Sequence, residues 1–72
     1  MKRLDADKLE RLGRLLCGPL WQSELARTMG VSRQTVLRWM AEESEPSPEH
    51  AAKAKELVRA RIEELRRLLK TL

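Results

Sequence analysis

Two short segments with helical apolar spacing are separated by only three residues, Gly30-Val31-Ser32. Leu25, Ala26 and Met29 form the apolar face of the first segment, and Val36, Trp39 and Met40 that of the second. Gly30 stands where a helix ends in a left-handed residue, and Ser32 is a good N-cap for the segment that follows. Three residues are too few for two helices to lie comfortably antiparallel, and they suit a steep crossing of about 90–120°. Such a crossing brings the backbones close. Ala26, four residues before Gly30, is small enough to permit it.

The flanking sequence supplies more helices and no strands. There are 13 leucines and 7 alanines against three valines, one isoleucine and no Phe or Tyr, the reverse of what pleated sheets use. Leu9, Leu12, Leu15 and Leu16 recur at helical spacing and predict a first helix over about Asp5–Leu16, with Asp5 or Asp7 near its start. Gly13 inside it costs about 1 kcal/mol relative to Ala, so it either admits a neighbouring helix or has no role. Gly18-Pro19 ends this helix. A second follows over about Trp21–Met29, with Trp21 read as core or rim packing, and a third over about Arg33–Glu42. In EESEPSPE, Ser47 caps and Pro48 opens a last helix that meets no breaker before Leu72. The expectation is an all-α bundle of about four helices with a long C-terminal one, formed as one domain over residues 1–72.

Charge and composition narrow the function classes. The net charge is +4, but it is unevenly placed: residues 1–41 carry eight Lys/Arg and four Asp/Glu, residues 42–49 carry four Glu and nothing basic, and residues 50–72 carry seven Lys/Arg and three Glu. Two basic blocks around an acidic elbow suit a polyanion-binding domain with a separate second element. No apolar run approaches the ~18 residues of a membrane span, and MKRLDADKLE lacks the apolar core of a secretory leader, so a cytoplasmic protein is expected. A single cysteine, Cys17, and a single histidine, His50, leave no disulfide, metal set or catalytic pair. Cys17 is read as buried and inert and His50 as a surface residue. Glu42, Glu43 and Glu45 are read as a solvated loop. No enzyme activity, cofactor, metal or small-molecule ligand is expected.

The third helix can be oriented from its own periodicity. With Val36 at zero and about 100° per residue, Trp39 and Met40 share its side, and Gln34 and Arg38 lie one turn apart directly opposite. Thr35 and Leu37 flank that pair, and Arg33 in the first turn has reach enough to join it. Gln can bond adenine bidentately, Arg can bond guanine O6 and N7, and Leu37 can meet a thymine methyl. Ser32 and the free N–H groups at the helix start can hold a phosphate.

The run QSELARTMGVSRQTVLRW, Gln22 to Trp39, resembles the helix-turn-helix of the Cro/C1-type, phage-repressor-like DNA-binding family. More narrowly, GPLWQSELARTMGVSRQTVLRWM followed by a Pro-started helix is similar to small regulators of phages and proteobacteria, the short repressors encoded beside anti-CRISPR genes among them. The resemblance implies a helix-turn-helix over about residues 21–42. It also implies double-stranded DNA as partner, and a Gln22 that bonds phosphate and braces the start of the recognition helix. Two features depart from the family pattern. Trp21 stands where a Ser or Thr cap is frequent, and one long last helix replaces two short ones.

In that last helix, about residues 48–72, Val58, Ile62, Leu65, Leu69 and Leu72 step by 4, 3, 4, 3, the heptad alternation. A second row of Ala54, Leu57, Ala60 and Leu68 widens the apolar face. At about 36 Å the helix is longer than so small a body can cover. One part is expected to pack on the first three helices and the other on a second copy. The resulting reading is a homodimeric repressor on an inverted-repeat operator, autoregulating a small phage or mobile-element operon. The alternatives are an interaction module or antitoxin that binds another protein through this helix, and a nonspecific nucleoid-type binder.

Overall fold

Asp5 sets the start of the first helix. Its carboxylate accepts from the Lys8 backbone N–H at 2.9 Å, satisfying one of the donors that a helix start leaves without a partner. The computed structural model describes residues 4–72. They form four helices: α1 Ala6–Cys17, α2 Trp21–Met29, α3 Arg33–Met40 and α4 Pro48–Thr71. No strand occurs among the described residues.

Each helix end has a local cause. Gly18 takes φ +87° and its N–H reaches the Arg14 carbonyl, which closes α1 one residue beyond the sequence expectation. At the end of α2, Gly30 is left-handed (φ +75°). Its N–H donates to Arg27 and that of Val31 to Ala26, the paired bonds of a Schellman ending. Ser32 caps α3 through its hydroxyl, which accepts from the Thr35 N–H at 3.1 Å. α3 ends at Met40, not at Glu42 as its apolar spacing suggests. Glu42 itself turns left-handed (φ +59°), and the N–H groups of Glu42 and Glu43 return to the carbonyls of Trp39 and Arg38. Ser47 caps α4, with Pro48 in its first turn.

The core is drawn from all four helices: Leu9, Trp21, Leu25, Ala26, Met29, Val36, Trp39 and Ala54, with Leu4, Leu12, Val31, Met40 and Leu57 packed against it. Gly13 is buried under the Trp21 indole, so this glycine admits its neighbour.

Two sequence expectations need correction, those for Cys17 and His50, and one of the leucines at helical spacing lies outside the core. Leu15 points to solvent, because the apolar face of α1 is centred on Leu9 and Gly13, leaving Leu15 outside it. Cys17 is only half-buried. His50 is half-buried as well, not a surface residue. Its ring lies 5.2 Å from that of Trp39, and Nδ1 is 2.9 Å from the Ser47 hydroxyl.

Candidate nucleic-acid interface

α3 is eight residues long and held at both ends, by Ser32 at its start and by the left-handed Glu42 beyond its end. Val36 is fully buried and Trp39 nearly so. Burial of that side fixes the opposite one: Gln34 and Arg38 are exposed there, Thr35 and Leu37 are half-buried at the margins, and Arg33 is exposed in the first turn. Gln34 and Arg38 are thus both exposed, on the side away from Val36.

The first turn of α3 is organised by local bonds. Ser32 and Thr35 hydroxyls lie 3.0 Å apart, so the Thr35 side chain is drawn to the cap. Arg33 Nη2 donates to Gln22 Oε1 at 3.5 Å, a long contact that nevertheless links the start of α3 to the start of α2. Gln22, Ser23, Arg14 and Arg33 line a cleft of about 180 Å³ beside this contact. Leu20 occupies the N-cap of α2 and makes no side-chain cap bond.

Electrostatics separates the arginines. Arg14 donates to Glu10 at 2.9 Å and Arg27 pairs with Glu24, both within their own helices. Arg27 holds the Glu24 carboxyl below the usual carboxylate range, chiefly through their hydrogen bond. Among the described residues, Arg33 and Arg38 form no salt bridge. Their guanidinium charges face no carboxylate: Arg38 stands one turn from Gln34 on the side away from Val36, and Arg33 lies in the first turn within reach of that side. That face can donate to an anion and can form bidentate bonds to the edges of bases.

The expected self-association residues lie elsewhere, along α4. Val58, Ile62, Leu65, Leu69 and Leu72 are all exposed, Leu65 by 55% and Leu69 by 71%, and Leu68 joins them. The sequence reading missed Arg61. It falls within this apolar face, where a leucine would be expected, and that misfit was its one available signal.

Residues 21–65, well over half of the chain, match the family described as helix-turn-helix. No curated protein and no solved structure matches the chain significantly. The three-residue turn between α2 and α3, the capped α3 and this match define a DNA-binding helix-turn-helix regulator. The chain belongs to the Cro/C1-type helix-turn-helix family. No helix among the described residues is long and apolar enough to cross a membrane.

Proposed function

We propose that the protein is a sequence-specific transcriptional repressor that acts as a homodimer on an inverted-repeat operator. The observation that carries this reading is the exposed Gln34/Arg38 pair, set opposite the buried Val36 on the second helix of the motif. Gln34 and Arg38 read base edges in the major groove, with Arg33 beside them and Thr35 and Leu37 at the margins. Gln22 and Ser32 hold phosphates on either side and set the register of α3 in the groove.

One copy of α3 covers too few base pairs to select a site. The second copy is recruited through the uncovered seam of α4, Val58, Ile62, Leu65, Leu69 and Leu72. In this scheme residues 1–72 act as one domain, with about 21–42 as the reading motif and about 48–72 as the dimerisation helix. Two copies of α3 then meet successive major grooves about 34 Å apart. Repression follows from occupancy: a dimer seated over a promoter excludes polymerase, and its own concentration sets the level. Autoregulation of a small phage or mobile-element operon rests on the sequence resemblance.

Selection of bound sites from random DNA tests the proposal. An enriched inverted repeat is the expected result. Binding that falls with salt equally for all sequences, with no enriched site, would replace it with a nonspecific binder.

A further inference from the structure

α4 is attached to the rest of the protein mainly along its first half, with Arg61 just beyond the midpoint as a further tether. Ala54 is buried in the core and Leu57 packs against it. Arg61 is the last half-buried residue of α4; beyond it exposure rises from 42% at Ile62 to 71% at Leu69 and 91% at Leu72. At this boundary Arg61 Nη2 donates to the Leu16 carbonyl oxygen at 3.0 Å, spanning 45 positions of sequence.

That bond is well matched chemically. Leu16 lies in the last turn of α1, where the carbonyls have no helical partner and the helix dipole presents its negative end. A guanidinium supplies both a donor and a positive charge there. Its Nε lies 3.8 Å from Glu64 Oε1 on its own helix, so the fork is held on two sides. By helical periodicity Arg61 sits about 40° from Leu65, inside the apolar stripe, yet its head is drawn away from the stripe to α1.

Geometry makes this contact matter for the far end of the helix. Arg61 lies about 10 Å along α4 from Ala54, and Leu69 about 23 Å, at 1.5 Å per residue. If α4 rocks about its buried first half, a swing of 1 Å at Arg61 becomes about 2 Å at Leu69. In a dimer joined by the far end, the two copies of α3 are displaced by the rocking of both protomers.

We propose that Arg61 is a positioning residue: it fixes the angle between α4 and the helices that carry α3, and so sets the spacing of half-sites the dimer accepts. This rests on the dimeric reading above.

The test uses the full chain carrying Arg61→Met, which keeps an unbranched apolar stem and removes the donors, beside Arg61→Lys, which keeps the charge and a single donor nitrogen. The first readout is a spin-label distance between Thr28→Cys and Lys70→Cys in a Cys17→Ser background, with labelled protein diluted into unlabelled. The distribution is expected to broaden with Met and to recover in part with Lys. The second readout is binding to paired half-sites whose spacer changes in steps of one base pair, beside binding to a single half-site. With Met, affinity at the parent's preferred spacing should fall about tenfold and the neighbouring spacings should lose less, leaving single-half-site affinity unchanged. Should Arg61→Met fail to fold, Arg61→Lys carries both readouts, with a smaller broadening and a smaller loss expected. An unchanged distance width together with an unchanged spacing preference overturns the role of Arg61 alone. A parent that prefers no spacing overturns the dimeric reading, and the spacing role with it.

Discussion

The indole of Trp21 lies directly over Gly13: a β-carbon added to the glycine would fall 2.1 Å from Trp21 Cε3. This contact joins α1 to the first residue of the reading motif, and both partners are buried. Gly13→Ala gains about 1 kcal/mol of helix propensity. It loses more, because an indole fixed in the core cannot retreat from a carbon at that distance, and overpacking of this kind costs about 1–3 kcal/mol. A net loss near 1 kcal/mol lowers Tm by about 4–8 °C for a domain of this size. Thermal melts check it, and a variant at least as stable as the parent would remove Trp21 from this position.

The left-handed residues behind α2 and α3 predict opposite responses. Gly30 (φ +75°) and Glu42 (φ +59°) both close a helix, but only one is glycine. A β-carbon at Gly30 would meet nothing within 4 Å, so the penalty for Gly30→Val is backbone strain, of order 1–3 kcal/mol for a β-branched residue. At Glu42 the native residue already carries such strain, and Glu42→Gly should stabilise by about 0.5–1 kcal/mol, partly offset by the freer unfolded chain. Denaturant titrations of the two variants should therefore move in opposite directions. Movement in the same direction would mean that the helix endings are assigned wrongly.

On the DNA face, Gln34→Ala and Arg38→Ala are expected to cost about 1–3 kcal/mol each at the preferred site and to relax the base preference there. Both side chains are exposed, so stability should hardly change. Competition binding against specific and random DNA is the measurement. Equal losses on both would assign these residues to the phosphate backbone instead.

What could be read from sequence follows a physical division. Local rules suffice for Gly30, Ser32, Ser47 and Pro48, because a cap or a left-handed ending is decided within four residues, whereas the start of α1 stayed open between Asp5 and Asp7. The inward side of α3 was legible for a similar reason: Val36 and Trp39 leave its short helix one way to turn. Residues whose surroundings come from distant segments were not legible. His50 looks like surface until Trp39 is brought against it. Leu15 shares the helical spacing of Leu9, Leu12 and Leu16, and that spacing does not say which side of α1 is covered. Glu42 was read inside α3 because apolar periodicity marks a face and not an end. Arg61 carries a bond to Leu16 that no spacing rule announces.

The uncovered half of α4 gives the last prediction. Ile62 and Leu65 are 42% and 55% exposed, so neither is locked in the protomer's own core. Placing Lys at Leu65 should leave the monomer folded, because the new charge stays in water there. In the proposed dimer the same charge is buried in the seam without a partner, and association should weaken greatly. Operator binding should fall with it although no DNA-facing residue has changed, since two tethered half-site contacts hold far more tightly than either alone. Ile62→Lys should behave in the same way. Arg59→Glu, which changes charge beside the seam without entering it, should alter oligomeric state little. Circular dichroism establishes that each variant is folded, and sedimentation then reads its state. A folded Leu65→Lys that remains dimeric would move the interface off this helix, and a parent that is monomeric at working concentration would remove the dimer altogether.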